Sequence, residues 1–487
     1  MIFMILLLPW LPMLAALGIL LIPKGNEDLL KKITVAICSV TSVMVLILFF
    51  QFDAARTGYQ FVYRFDWVPE LGITYQVGLD GINLTLCLLH ALVSFAGALV
   101  SCYNKERLKE YLFFYLILTG AIYGVFTSLD MFFLYLFYET TLIPLYPMIG
   151  IWGSKNKEYG AMKLTIFITT GAVVALFGIL LFYQQTGLHT FDLIQIQRHL
   201  ASHPLPLDFQ HVVAPLLLAG FGVIASLWPL HSWSPIGYAA APTSVSMLHA
   251  GVLKKMGPYL IFRLAIPFMP EGIRHWSGPL SVLAGIGIIY AGYAAIRQKD
   301  LKFIVGFSSV SHMGYILLGI AAMSPAALSG AVLLMFSHGV MAACTFGLIG
   351  FMYEQTHARG VSDYGGLSVT TPFWAVCFIM ASMASLGLPG FSNFASELLI
   401  FIGSWSRFPI IVSFAVFGIL VTALYLLRMV QQICYGPVNP KWSKLRDIRT
   451  FSERLPFVLL LGALLLFGFW PQGLLKIIEP AIGVLLP

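Results

Sequence analysis

Apolar runs of about twenty residues recur from one end of this chain to the other. Each is near the ~20 residues that an α-helix needs to cross about 30 Å of hydrocarbon. A bilayer admits only structures that satisfy their backbone hydrogen bonds internally, so the runs predict an all-α integral membrane protein with about fourteen transmembrane helices. The predicted spans are 2–22, 31–51, 81–102, 111–128, 130–150, 161–184, 212–230, 243–268, 278–296, 303–322, 327–352, 372–402, 408–430 and 456–475.

The distribution of positive charge predicts the topology. If the N-terminus lies outside, most Lys and Arg fall in connections on the inner side, and the largest group lies in 441–454. This bias is the usual one for membrane proteins. The formal net charge of +7 is therefore explained by topology, and it does not indicate binding of nucleic acid.

No signature of a bound cofactor is found in the sequence. The six cysteines include no CxxC pair, and there is no Walker loop, Gly-rich dinucleotide turn or Cys ligand set for an iron–sulfur cluster. Most cysteines lie within apolar runs, which favours a role as small core residues. We therefore expect no cofactor or metal in this chain and any redox chemistry to belong to partner chains.

Several predicted spans contain ionisable side chains. A charge at the bilayer centre costs at least ~2.5–3.5 kcal/mol on insertion scales, so such residues are candidates for a functional site. Their spread over several helices is typical of a proton or ion path rather than of a membrane scaffold. The amines and carboxylates are Glu139, Lys254, Lys255 and Glu397, and two further spans carry His312 and His338.

Two spans are interrupted by helix-breaking residues. The segment 212–242 contains Pro229 and Pro235, and the segment 381–401 contains Gly387 in the phrase LGLPG. Proline removes a backbone donor, and glycine lowers the cost of unwinding. Interrupted spans in corresponding places of two halves indicate an inverted-repeat transporter with an ion site near the midplane.

The interruptions fall in predicted spans 7 and 12, which suits two inverted five-helix repeats over spans 4–8 and 9–13. We predict an N-terminal three-helix segment at 1–110, a first repeat at 111–268 and a second at 278–430. The remainder, 431–487, is predicted to be a loop and a C-terminal transmembrane helix. Gly and Pro are common in membrane helices generally, so the interruptions alone leave a non-repeat arrangement open.

Several longer phrases of the sequence match one family. They resemble the antiporter-like membrane subunits of respiratory complex I, in particular the branch called subunit M or chain 4. The resemblance covers almost the whole chain. The phrases are VGLDGIN (77–83), LYLFYETTLIPLYPMIGIWG (134–153), WPLHSW (228–233), AGVLKKMGPY (250–259), SSVSHMGYILLGI (308–320), SHG (337–339) and LGLPGFSNFASELLIF (386–401).

The resemblance implies a proton-translocation module in the membrane arm of an oxidoreductase that transfers electrons from NADH, or a related donor, to quinone. This chain would be a non-redox subunit of that translocase, with flavin, iron–sulfur clusters and quinone held by partner subunits. It also implies fourteen spans, two inverted repeats and outside termini. The expected location is the bacterial inner membrane, in contact with lipid and with other membrane-arm subunits.

Five residues match positions that form the proton path in the family. The resemblance implies that Glu139 faces a neighbouring module and pairs with a lysine on span 7. It implies that Lys255 is the central lysine on span 8, that His312 and His338 relay protons, and that Glu397 exchanges them with the outside. Each alternative is structural, since a lone intramembrane His or Glu is often held by helix–helix hydrogen bonds.

One family position is changed in this chain. The span-7 lysine lies 31 residues before the span-8 lysine in the family, and that position is Ile224 here; no Lys or Arg occurs between Arg198 and Lys254. Without this cation, Glu139 is expected to hold a proton more often, and coupling is expected to be weakened or rerouted. The auxiliary candidates for a new route are Lys254, His249 and His231.

Two alternatives to the interpretation as a complex I subunit remain. One is a subunit of a membrane-bound hydrogenase or of a cation/proton antiporter complex. The other is a structural module that holds its neighbours in register and moves no protons. The identity of the partner chains would distinguish the first alternative. Substitution of Glu139 and Glu397 would distinguish the second.

Overall fold

The computed structural model describes residues 1–23, 25–104 and 106–486. Long apolar helices dominate, because a helix satisfies its own backbone hydrogen bonds. The elements of the first half are α1 Ile2–Leu21, α2 Glu27–Gln51, β1 Gln60–Val68, β2 Ile73–Leu79, α3 Gly81–Ser101, α4 Leu108–Thr127, α5 Met131–Trp152, α6 Lys157–Thr186, α7 Leu193–Ser202, α8 Leu207–Ala225, α9 Trp233–Ala240, α10 Thr243–Gly251 and α11 Met256–Leu260.

The second half has nine helices within the described residues. These are α12 Pro270–Arg297, α13 Leu301–Ala322, α14 Pro325–Thr356, α15 Leu367–Thr370, α16 Pro372–Ser385, α17 Ser392–Trp405, α18 Pro409–Cys434, α19 Phe451–Phe469 and α20 Gln472–Leu485. The most apolar window of α14 is 100% buried within the chain, so α14 is the centre of the bundle.

The predicted helical membrane architecture is confirmed. In the described part of the chain, twelve helices are long and apolar enough to cross a membrane. The predicted spans 243–268 and 372–402 are not among them, because each is divided into shorter helices. The count of fourteen and the pairing into inverted repeats stay predictions.

One region outside the helices contains strands that the sequence did not predict. Residues 60–79 form an antiparallel hairpin, β1 paired with β2, in a stretch predicted only to lie outside the membrane. Its second strand is wholly buried and leads directly into α3. The short helix α7 and the C-terminal helix α20 were also not predicted.

Both predicted interruptions are present. The helix α8 ends at Ala225 and α9 begins at Trp233, while α16 ends at Ser385 and α17 begins at Ser392. Span 8 carries a third, which the sequence reading missed: a 3₁₀ turn at Leu253–Lys255 separates α10 from α11. All three lie in segments that hold candidate ionisable residues or adjoin them.

Candidate functional site

The break in span 12 places a carboxylate inside the bundle. Gly387 has a φ of +73°, a left-handed backbone conformation that residues other than glycine rarely adopt. Glu397 lies on α17, one and a half turns after its start, and is 4% exposed. A Cβ atom on Gly387 would lie 2.6 Å from Glu397 Oε2, so glycine at 387 is what allows the carboxylate to lie against the unwound backbone.

His312 of α13 is the basic neighbour of that carboxylate. Its Nε2 lies 3.7 Å from Glu397 Oε1 and 2.9 Å from the carbonyl oxygen of Ser385, while its Nδ1 lies 2.8 Å from that of Ser308. Both carbonyls only accept hydrogen bonds. An imidazolium satisfies both at once and a neutral ring satisfies one, so His312 can gain or lose a proton with the change of a single hydrogen bond.

His338 extends this group from the central helix α14. Its ring centroid lies 5.1 Å from that of His312. Both ring nitrogens of His338 and both side-chain polar atoms of Asn393 are buried and have no hydrogen-bond partner among the described residues. Buried polar groups of this kind are normally satisfied by bound water. The structure therefore brings together three of the five predicted path residues.

The two lysines of span 8 are both fully buried but have different neighbours. Lys254 Nζ donates to Ser234 Oγ at 3.1 Å and to Ser309 Oγ at 3.4 Å. Lys255 Nζ donates to the carbonyl oxygen of Ala250 in its own segment. Both find acceptors inside the bundle, and neither extends to a loop.

The break in span 7 is apolar where the resemblance predicts a lysine. Ile224, the second-last residue of α8, is 3% exposed. The chain leaves the helix through Ser226 at a φ of +58°, and Trp233 Nε1 donates to the carbonyl oxygen of Val223 across the break. A Cβ on Gly257 would lie 2.5 Å from Phe221 O, so the end of α8 packs closely against α11.

The auxiliary histidines lie near this first break. His249 stacks on Trp233 at a centroid distance of 5.4 Å and meets the Tyr238 ring edge to face at 5.0 Å. His231 lies in the connection between α8 and α9 and meets the Tyr290 ring at 5.2 Å. The Nδ1 atoms of both histidines are buried without a partner among the described residues.

Glu139 lies apart from the other candidates, on the outer face of α5. It is half-buried, and Leu136 and Ile143 on the same face are 42% and 68% exposed. The Glu139 carboxylate lies beside the hydroxyl of Tyr135, one turn earlier in α5, and no ion pair of Glu139 is found in the described part of the chain. That Glu139 faces a neighbouring subunit stays a prediction.

One buried ion pair was not predicted as a pair. Arg263 donates to both carboxylate oxygens of Asp80, at 2.6 and 2.5 Å, and Asp80 also caps α3. The partners are 183 residues apart, so no spacing pattern could have joined them. Bidentate geometry and the additional cap offset the cost of burying the charges.

The hydroxyl groups near Lys254 and His312 were also not predicted. Ser309 contacts Lys254, and Ser308 accepts a hydrogen bond from Tyr425 at 2.8 Å. The signal available in the sequence was the SSVSH phrase, in which three serines precede His312 within one helical turn. Serine in a helix can satisfy its hydroxyl locally, so the phrase alone does not distinguish the two uses.

The broken helices and their buried ionisable residues define a polytopic helical membrane protein of the antiporter-like class. The family model described as NADH:quinone oxidoreductase/Mrp antiporter, TM, matches residues 128–422. The chain belongs to this family of membrane subunits.

Relatives and a solved structure agree with the family over nearly the full length. NADH-quinone oxidoreductase subunit M of Rickettsia conorii is 32% identical over 484 residues, covering 98% of this chain and 97% of the relative. NAD(P)H-quinone oxidoreductase chain 4 of Gloeobacter violaceus is 34% identical over 480 residues, covering 95% and 90%. A chain of respiratory complex I from Thermus thermophilus superimposes with a TM-score of 0.89 at 27% identity, covering 99% of both chains.

Proposed function

We propose that this chain is a membrane-arm subunit of a complex I-type oxidoreductase that transfers electrons from NADH or a related donor to quinone. It contributes a proton-translocation module in the bacterial inner membrane and binds other membrane-arm subunits. The observation that carries the proposal is the His312–Glu397 pair, 3.7 Å apart at the break in span 12.

The path runs through the ionisable residues of the bundle. Lys255, His338, His312 and Glu397 form its central and outer part, and Glu139 couples it to a neighbouring subunit. The 5.1 Å separation of the two histidine rings and the carbonyl partners of His312 support this order. Lys254, His249 and His231 are auxiliary groups near the first break.

Electron transfer is assigned to other chains of the assembly. This subunit acts as a non-redox part of the translocase, and the described residues contain no group of three or more His, Cys, Asp or Glu that could hold a metal ion. Flavin, iron–sulfur clusters and quinone are assigned to partner subunits.

The test replaces Glu397 by glutamine in the intact complex, reconstituted in liposomes. Glutamine keeps the size and polarity but cannot release a proton, so we expect fewer protons moved per electron. The matched control is Glu70→Gln, because Glu70 lies in the exposed turn Pro69–Leu71 outside the spans. A Glu397→Gln complex with the native ratio would contradict the proposal.

The family description also includes Mrp antiporters, so a cation/proton antiporter complex is the second candidate. Purification of the native assembly distinguishes the two, because a flavin and iron–sulfur arm accompanies only the oxidoreductase. Nickel in the preparation would indicate a membrane hydrogenase. If both Glu139→Gln and Glu397→Gln leave translocation intact, the chain is a structural module.

A further inference from the structure

Lys254 is a buried amine whose hydrogen-bond partners are neutral groups, although Lys255 lies next to it in the same turn. Its Nζ contacts the hydroxyls of Ser234 and Ser309 and lies 5.5 Å from the centroid of the Tyr238 ring. No ion pair joins Lys254 to a carboxylate within the described ranges. A buried amine held by hydroxyls can exist as ammonium or amine without breaking a salt bridge, because a hydroxyl both donates and accepts.

The contacts of Lys254 join three parts of the bundle. Ser234 lies on α9, the second half of span 7, and Ser309 lies on α13. The amine from span 8 therefore reaches the span in which Ile224 replaces the expected lysine. Lys255 makes no such bridge, since its Nζ returns to the main chain at Ala250.

From Ser309, polar groups on the same helix α13 lead to His312, which lies beside Glu397 of α17. Ser309 and His312 are three residues apart in a helix and therefore lie on the same face. The carbonyl oxygen of Ser308 holds His312 Nδ1 at 2.8 Å, and His312 Nε2 lies 3.7 Å from the Glu397 carboxylate. Lys254 thus lies at one end of a polar row whose other end is the Glu397 carboxylate.

We propose that Lys254 is a second lysine of the proton path, which exchanges a proton with the His312–Glu397 pair by way of the Ser309 hydroxyl. This inference rests on the proposed function of the Glu397 site. In the forward step an N–H bond of the Lys254 ammonium breaks, and its proton passes to Ser309 Oγ as the hydroxyl's own proton moves on toward His312. His312 takes up that proton at Nδ1 and releases the proton of Nε2 to the Glu397 carboxylate 3.7 Å away, so an ammonium and a carboxylate become an amine and a carboxylic acid.

The first experiment compares Lys254→Met with Lys254→Arg in the reconstituted complex, by the number of protons moved per electron. Arginine keeps the positive charge but does not deprotonate in proteins. We expect both variants to lower the ratio to that of Glu397→Gln. A native ratio in Lys254→Arg would overturn the proposal, because a fixed charge would then suffice.

Leu253→Met is the packing control, because Leu253 lies in the same 3₁₀ turn and is 4% exposed. A Leu-to-Met exchange usually costs less than about 1.5 kcal/mol, so this complex should assemble and keep the native ratio. If Leu253→Met also lowers the ratio, the turn is simply intolerant of change and the effect of Lys254→Met no longer supports the proposal.

A second pair of variants addresses the route, and it avoids the risk that a lysine variant fails to fold. Ser309→Ala removes the hydroxyl, whereas Ser309→Thr keeps it. We expect the alanine variant to lower the ratio and the threonine variant to retain it. Equal ratios in the two would overturn the Ser309 route.

If Glu397→Gln lowers the ratio but Lys254→Met does not, the proposed function stands and Lys254 has no part in it. If Glu397→Gln has no effect, the proposed function itself fails.

Discussion

The two broken spans use different residues to leave the helix and place different groups at the break. In span 12 the backbone passes through Gly387, at a φ of +73°, and the break contacts the carboxylate of Glu397. In span 7 it passes through Ser226, at a φ of +58°, and the helix end carries apolar Ile224. The amine near the first break comes from Lys254 on span 8 instead.

This difference shows that an unwound membrane helix and an ionisable residue are separable features. At span 12 glycine adopts a φ of +73° and leaves room for the Glu397 carboxylate beside the break. At span 7 the residue with the positive φ carries a side chain, and the polar contacts are made by a neighbouring span. Four substitutions each change one of the two breaks or its immediate surroundings.

The largest effect is expected from Ile224→Lys, which adds a cation to the first break. Ile224 is 3% exposed, and a buried charge costs about 3–5 kcal/mol unless a partner such as Glu139 offsets it. We expect a lower yield of assembled complex and no gain in protons moved per electron, since Lys254 already supplies an amine there. The measurements are the yield of purified complex and its proton-to-electron ratio in liposomes.

Ile224→Met is the control for this substitution, because it changes shape without adding charge. A rise in the ratio of Ile224→Lys above that of the native complex would contradict our expectation. It would show that the missing lysine limits translocation in the native chain.

Gly387→Ala changes the second break. A non-glycine residue in the left-handed region costs roughly 1–2 kcal/mol, and the new Cβ would lie 2.6 Å from Glu397 Oε2. We expect a lower melting temperature and, because the carboxylate must move, a lower proton-to-electron ratio. Gly462→Ala is the control, since a Cβ there meets no atom within 4 Å. Equal behaviour of the two variants would show that Glu397 does not depend on the tight contact at 387.

Tyr425→Phe removes the hydrogen bond to Ser308 beside His312. The net contribution of such a bond is about 0.5–1.5 kcal/mol, so a modest fall in melting temperature is expected. Proton translocation should be retained, because the proposed route from Lys254 uses Ser309 rather than Tyr425. Loss of translocation would instead place the tyrosine hydroxyl on the path.

Sequence reasoning predicted the broken spans and the candidate residues at the span-12 break because the signals are local. Pro and Gly mark the interruptions, and buried charges stand out in apolar runs. The third break, at Leu253–Lys255, was missed because no proline lies within the turn itself. The strands of the 60–79 hairpin were missed because that stretch was classed only as lying outside the membrane.

The contacts among the candidates could not be predicted from the sequence. Lys254 and Lys255 are adjacent, yet only Lys254 reaches α9 and α13, because the 3₁₀ turn sets their directions. The pairing of Asp80 with Arg263 depends on how β2, α3 and span 8 pack. Such contacts follow from tertiary packing, which leaves no periodic trace in the chain.

The smallest effect is expected from Ser226→Gly at the first break. Glycine removes the strain of a residue with a side chain in the left-handed conformation. It also makes the unfolded chain more flexible, which costs about 0.5–1 kcal/mol of stability. The buried Ser226 hydroxyl has no partner among the described residues, so its loss adds to the gain. We expect a melting temperature equal to or slightly above the native one. Ser226→Ala, which removes only the hydroxyl, should gain less than Ser226→Gly. A clear loss of stability in the glycine variant would show that the first break depends on the side chain of Ser226, whereas the second break depends on the absence of a side chain at Gly387.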